Sequence, residues 1–195
     1  MKSLRTLPSY VVLLIITLAA GLILGGVYTL TEGTINERQL LEAENTRARV
    51  LGTAESFEQL EAGDAVDWLY VGKDAEGHVV GYVGQVTVQG YKAEIEVITG
   101  IDLDGSITGI SVGGSNFSET VGLGAKTKDA DFTERFKGLG TPITILKTGD
   151  TADSNGVDSV TGATISSKAV ASAVNRFGEY INAAFGSGTK AGEGE

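Results

Sequence analysis

HVVGYVGQVTVQGYKAEIEVITGIDLDGSITGISV spans residues 78–112 and decides the fold. Its two longer segments, His78–Gln89 and Ala93–Leu103, alternate and are rich in valine, isoleucine and tyrosine, which is typical of strands. Asp104-Gly105 is a strong signal for a two-residue hairpin, and Ile107–Val112 then returns as an antiparallel strand. The stretch therefore predicts a meander, and with the flanking segments it predicts about four strands.

The segments around this meander supply one more strand on the N-terminal side and helices on the C-terminal side. Val66–Val71 alternates loosely and predicts a strand. Asp129–Lys137 predicts a short helix, and Ile143–Leu146 predicts a further strand. Ser166–Ala184 predicts an amphipathic helix. We expect an α+β fold with a largely antiparallel sheet flanked by helices.

The N-terminus predicts a single membrane-spanning helix. Leu7–Thr31 contains no charged residue, and about 20 apolar residues are enough to cross a bilayer. Lys2 and Arg5 precede this run, so the positive-inside rule predicts a cytoplasmic N-terminus and an extracytoplasmic domain. A cleaved signal peptide is the alternative, although its apolar region is normally shorter, at about 7–15 residues.

A second, polar helix is predicted between the anchor and the domain. Thr34-Ile35-Asn36-Glu37 fits a capping box, and a helix is expected from Ile35 to about Leu51, before Gly52. The glycine-rich polar tail is expected to be disordered. The predicted organisation is an N-terminus and membrane helix (1–31), a linking helix (32–52), one folded domain (53–185) and a tail (186–195).

Composition excludes several classes of site. The formal net charge of −10 makes nucleic acid a poor partner. The chain has no cysteine, which excludes disulfides, thiolate metal sites and iron–sulfur ligation. His78 is the only histidine, so a histidine-based metal cluster or catalytic triad cannot form. We expect neither a metal site nor a catalytic residue.

Two segments carry candidate chemistry. The first, Asp158–Thr164, reads DSVTGAT and runs into the last helix, where free N–H groups and the helix dipole favour a phosphate. The residues alone favour the alternative, an ordinary N-cap in which serine and threonine side chains satisfy the first turn, because hydroxyl-rich caps are common; Thr161 is a candidate acceptor in such a cap. The second is Asn116–Lys126, in which Gly122 and Gly124 indicate tight turns or close approach. It lacks the third glycine of a dinucleotide fingerprint, and a plain loop is the alternative.

Both segments resemble motifs of the FMN-binding domain family. Thr161-Gly162-Ala163-Thr164 resembles the family's flavinylation motif, in which a transferase joins the FMN phosphate to the last threonine as a phosphodiester. Glu119-Thr120-Val121-Gly122-Leu123-Gly124 is similar to the family's Glu-Thr-Pro-Gly-Leu-Gly segment, with Val121 in place of proline. Over nearly the whole chain, the pattern resembles the G subunits of Rnf complexes, ion-translocating ferredoxin:NAD oxidoreductases. The C subunits of sodium-translocating NADH:quinone reductases are near relatives.

This resemblance implies covalent FMN, an electron relay outside the cytoplasm, and two kinds of partner: the other membrane subunits and a flavin transferase. It implies FMN attachment at Thr164. The further residues expected to bind the cofactor are Thr161, Gly162, Ala163, Ser166, Glu119, Thr120, Gly122, Leu123, Gly124 and Lys126. Two alternatives stay open. One is an anchored scaffolding domain without cofactor, and the other is an FMN subunit of another membrane reductase.

Overall fold

The computed structural model describes residues 8–114, 116–147 and 155–186. The expected cytoplasmic Lys2 and Arg5, and the predicted tail apart from Gly186, lie outside these residues. The chain divides into two compact units, Met1–Glu44 and Asn45–Glu195.

In the first unit, the described residues are helical from Ser9 onward. Helix α1 runs from Ser9 to Val50, and within it Tyr10–Tyr28 is long and apolar enough to cross a membrane, with a mean hydropathy of 2.5. The predicted start of a second helix at Thr34 is wrong, because the backbone stays helical through this position. A lone glycine such as Gly33 costs a helix only about 1 kcal/mol relative to alanine, which does not stop propagation.

The second unit is built on a five-stranded antiparallel sheet in the order β1-β2-β3-β4-β5. The strands are β1 (Ser56–Leu60), β2 (Trp68–Lys73), β3 (Val79–Gln89), β4 (Glu94–Asp102) and β5 (Ile107–Gly113). The predicted antiparallel meander is confirmed, and so is the α+β class. The predicted two-residue length of the hairpin at Asp104-Gly105 is wrong, because β4 ends at Asp102 and β5 begins only at Ile107. Strand β1 was not predicted, because its acid-rich surroundings gave it the pattern of a solvated surface.

The chain then forms short helical turns and a small parallel pair of strands. The 3₁₀ segments Gly124–Lys128 and Glu134–Phe136 flank α2 (Ala130–Thr133). Strand β6 (Thr144–Leu146) pairs in parallel with β7 (Gly156–Asp158). The last element is α3 (Thr164–Phe185), which begins two positions before the predicted Ser166.

The core lies between the sheet and α3. Alternating residues of the strands point to one face, where Phe177 of α3 is fully buried and contacts the backbone position of Gly84. Val50 and Leu51, at the end of α1, pack on the opposite face with Val83. Because the sheet is covered by α3 on one face, the first turn of α3 is held at a fixed place beside the sheet.

Candidate functional site

The two candidate segments meet at the start of α3, although they are well separated in the sequence. A cavity of about 360 Å³ lies between them. Its walls are the turn after β3, the segment after β5 and the first turn of α3. The predicted residues that line it are Glu119, Thr120, Leu123, Gly124, Gly162, Ala163, Thr164 and Ser166. Tyr91 and Ile165 line it as well.

Three predicted residues lie elsewhere. Thr161 and Lys126 line a neighbouring cleft of about 580 Å³, together with Arg135 and Asp158. Gly122 has a φ of +81° and open space around it, so it forms a turn beside the cavity. The structure therefore places the Lys126 ammonium group on the neighbouring cleft and not on the cavity wall.

Glu119 ties three segments together. Its Oε1 accepts hydrogen bonds from the backbone N–H of Lys92 (2.9 Å) and of Ala93 (3.4 Å), in the turn between β3 and β4. Its Oε2 accepts a hydrogen bond of 2.7 Å from the Ser166 hydroxyl on α3. Glu119 is only 6% exposed and Ser166 only 1% exposed. We call these four residues the Glu119 network.

The electrostatics of the Glu119 carboxyl follow from this setting. Burial raises the pKa of Glu119, because it disfavours the charged form. The hydrogen bonds from the Lys92 backbone, the Ser166 hydroxyl and the Ala93 backbone oppose this effect, and the net pKa lies below the usual value. The group is thus an anion at neutral pH, and its charge is satisfied by the chain's own donors.

The start of α3 places backbone N–H groups beside Thr164 that no helical hydrogen bond uses. The first helical bond runs from Ser167 N–H to the Ala163 carbonyl (2.9 Å), so the N–H groups of residues 164–166 precede it. The predicted capping by Thr161 is wrong, because Ala163 occupies the cap position and makes no side-chain cap bond. The Ser167 hydroxyl stabilises this turn instead, donating to the Ala163 carbonyl and accepting from Val160 N–H, each at 3.0 Å.

Thr164 is the first residue of α3 and its side chain is half-buried at the cavity. The hydroxyls of Ser166 and Ser167 are both engaged in hydrogen bonds with other parts of the chain. Among the residues that the structure describes, no such bond involves the Thr164 hydroxyl. Of these three hydroxyls at the helix start, Thr164 is therefore the one left for a bond to a ligand.

Exposed apolar side chains surround the mouth of the cavity. Tyr91 is 67% exposed, Ile165 57% and Leu123 42%, and all three line the cavity. Val121, in the same loop as Leu123, is 90% exposed. Sequence reasoning missed Tyr91 and Ile165 as site residues. The signal that could have identified Ile165 is its place in the helix, because this apolar residue lies outside the buried stripe of α3. A planar apolar group can pack against such a rim.

The sequence matches the FMN-binding domain family over residues 90–178. This range runs from the turn after β3 into α3. It contains both candidate segments and the four residues of the Glu119 network.

Two relatives match most of the chain. The chain is 35% identical over 181 residues to the G subunit of the Na(+)-translocating ferredoxin:NAD(+) oxidoreductase complex of Acetobacterium woodii, covering 84% of this chain and 86% of the relative. It is 33% identical over 180 residues to the G subunit of the ion-translocating oxidoreductase complex of Methanosarcina acetivorans, covering 89% and 93%.

A solved structure shares the fold. The C subunit of the Na(+)-translocating NADH-quinone reductase from Parabacteroides distasonis superposes with a TM-score of 0.57, covering 76% of this chain and 84% of that chain. Its sequence identity is 21%, so the likeness concerns the fold alone.

Proposed function

This chain belongs to the family of G subunits of ion-translocating oxidoreductase complexes, and on that premise we propose that it relays electrons through one FMN held covalently on Thr164. When bound, FMN accepts and passes on electrons singly or in pairs. The chain supplies the tether, the position and the surroundings of the ring. The redox chemistry of the complex requires the other subunits, so this chain completes no reaction alone.

The observation that carries the proposal is the position of Thr164. Thr164 is half-buried, is the first residue of α3 and lines the cavity that both motifs line. The N–H groups of the first turn, which lie outside the helical bonding pattern, and the positive end of the helix dipole favour a phosphate at this place. A phosphodiester on the Thr164 oxygen therefore has backbone donors for its remaining charge.

The residues present fit FMN. Ligand cavities typically measure about 300–1,000 Å³, and this one, at about 360 Å³, falls within that range. Its open mouth leaves room for part of a larger ligand to lie outside. Tyr91, Leu123 and Ile165 offer apolar surface for the flavin ring, while the helix start offers donors for the phosphate. The Glu119 carboxylate is turned into the chain, where it does not compete with the anionic ligand for donors.

We further propose that α1 anchors the domain on the outer side of the cell membrane. The apolar Tyr10–Tyr28 segment supports a single span, and the N-terminal Lys2 and Arg5 favour a cytoplasmic N-terminus. A cofactor outside the cytoplasm is lost when it dissociates, so a covalent bond keeps it in place. The expected partners are the other membrane subunits of the complex and, during maturation, a flavin transferase.

The proposal is tested by mass spectrometry of the intact chain, which compares the mass of chain produced with the flavin transferase and the mass of chain produced without it. We expect a mass increment of one FMN group only with the transferase, and yellow colour that survives denaturation. Thr164→Val keeps the shape of the side chain and removes the hydroxyl, so it should abolish the increment. Thr161→Val is the matched control and should reduce loading at most.

Wild-type chain that stays colourless with active transferase would contradict the proposal and favour a scaffolding domain without cofactor. The orientation is tested separately, by adding protease to intact cells whose outer layers have been opened. Digestion of the domain before lysis is expected. Full protection until lysis would contradict the extracytoplasmic location.

A further inference from the structure

We propose that Glu119 is a positioning residue of the flavin site, which sets where Thr164 stands although it does not itself contact the cofactor. This inference rests on the proposed function, because Thr164 is taken as the residue that carries the flavin. The four-residue network described above gives it a structural basis independent of the resemblance between sequence motifs.

The two oxygens of the carboxylate hold two different walls of the cavity. Oε1 binds the turn between β3 and β4 through the Lys92 and Ala93 N–H groups. Oε2 binds the Ser166 hydroxyl on α3. Since Glu119 itself belongs to the segment after β5, one side chain joins all three walls. Losing it frees each wall to move relative to the others.

The bond to Ser166 acts on Thr164 through the helix. Ser166 lies two residues after Thr164 in the first turn of α3, and one helical turn contains about 3.6 residues. The Ser166 hydroxyl points to Glu119 and is 1% exposed, so it fixes the rotation of this turn about the helix axis. The direction in which Thr164 presents its hydroxyl follows from that rotation.

Glu119 lines the cavity, but its carboxylate oxygens are already engaged by donors of the chain. Glu119 is 6% exposed, and both of its oxygens already accept hydrogen bonds from the chain. A buried anion would repel a phosphodiester that it met directly. Glu119 therefore acts through Ser166 and the turn, which distinguishes it from Leu123 and Ile165 on the exposed rim.

Two glycines make room for the network. A Cβ atom at Gly90 would lie 2.6 Å from Glu119 Oε1, and one at Gly124 would lie 2.7 Å from Ser166 Oγ and closer still to Glu119 Oε2. The backbone passes the carboxylate at distances that only glycine permits. These glycines and Glu119 thus form one packing unit, in which the carboxylate occupies the space that a Cβ atom at either glycine would need.

The test compares Glu119→Gln, Ser166→Ala and the double variant in the full-length membrane-anchored chain, each produced with the transferase. We expect the initial rate of FMN incorporation to fall about tenfold in each single variant. Each variant loses one charge-assisted hydrogen bond that holds Thr164 in the orientation required for the transfer, and a factor of about ten in rate corresponds to the loss of one such bond. The double variant should be no slower than Glu119→Gln, because both changes remove the same charge-assisted bond from the Ser166 hydroxyl to the carboxylate. Glu58→Gln, on β1 and outside the cavity, is the charge-matched control and should load at the wild-type rate.

A second readout separates positioning from mere stability. Variants are loaded to completion, confirmed as folded by Trp68 fluorescence, and compared by visible circular dichroism and reduction potential of the flavin. A shift in both signals relative to wild type is expected. If Glu119→Gln does not fold, Ser166→Ala carries the test, since it retains the glutamate.

The outcomes distinguish the two proposals. Wild-type chain without covalent flavin contradicts the proposed function. Wild-type chain that loads normally, with Glu119→Gln or Ser166→Ala matching its rate and its flavin signals, overturns the positioning role alone.

Discussion

Gly124→Ala adds a single methyl group at the point where the Glu119 network has no spare room. The new Cβ would lie 2.7 Å from Ser166 Oγ and nearer still to Glu119 Oε2, well inside ordinary contact distance. Neither atom can swing aside freely, because Glu119 is 6% exposed and Ser166 1% exposed. The Ser166–Glu119 hydrogen bond of 2.7 Å must therefore break or distort.

The expected cost follows from that bond. A hydrogen bond to a charged group contributes about 1.5–3 kcal/mol to stability. Replacing glycine by alanine at an unstrained position returns about 0.4–1 kcal/mol by restricting the unfolded chain. The net destabilisation should therefore be about 0.5–2.5 kcal/mol.

Urea unfolding followed by the fluorescence of Trp68 measures this change. Trp68 lies on β2 and is the only tryptophan in the chain. The midpoint should fall while the slope stays constant. Gly113→Ala is the matched control, because a Cβ there meets only Lys128 Cε at 3.8 Å. A Gly124→Ala midpoint equal to that of the control would refute the reasoning about the network.

Three further predictions concern neighbouring features. The pKa of Glu119 is lowered on folding, so its contribution to stability is complete above the ordinary glutamate pKa of about 4.3 and is lost as the pH falls through the lower folded-state pKa. The urea midpoints of wild type and Glu119→Gln should therefore differ at pH 7, and the difference should shrink as the pH falls through that folded-state pKa. Gly162→Ala should cost about 1–2 kcal/mol and slow FMN loading, because its φ is +76° and the new Cβ would press on Leu123 at 3.0 Å; unchanged thermal unfolding would count against this. Gly100→Ala should speed trypsin cleavage near the end of α1, because the Cβ would lie 2.7 Å from the Val50 carbonyl; cleavage at the wild-type rate would argue against that contact.

The sheet could be predicted because its signals are local. Alternation in His78–Gln89 and the Asp104-Gly105 turn specify β3, β4 and β5 without reference to the rest of the chain. Strand β1 and strand β7 were missed, since each is short and depends on pairing with a partner strand. The pairing of β1 with β2 uses residues with no strand pattern of their own, such as Glu58 and Gln59.

Helix boundaries were less predictable. The capping pattern at Thr34 is a real helix-start signal in an isolated segment, but a helix already in progress passes through it. At the other end of the chain, the hydroxyl-rich sequence suggested Thr161 as the cap. In the structure Ala163 holds the cap position without a side-chain cap bond, and the Ser167 hydroxyl, inside the helix, turns back to Val160 and Ala163.

The candidate site was predictable as two separate motifs but not as one assembly. Hydroxyls and glycines before a helix indicate a phosphate site, and the resemblance joined the two motifs to FMN. The resemblance assigned Glu119 to the cofactor site, but nothing in the sequence pattern shows which hydrogen-bond donors its carboxylate meets. The donors lie in the turn after β3 and on α3, and only the folded chain brings them together.

The most direct measurement of the central claim is the position of the flavin on the chain. Trypsin is expected to release residues 148–168, which follow Lys147 and end at Lys168, as one peptide whose threonines are Thr148, Thr151, Thr161 and Thr164. Fragmentation of this peptide, from wild-type chain matured with the transferase, should place a single FMN phosphodiester on Thr164. An adduct on Thr161 or on any other residue, or an unmodified peptide from fully yellow protein, would contradict the account.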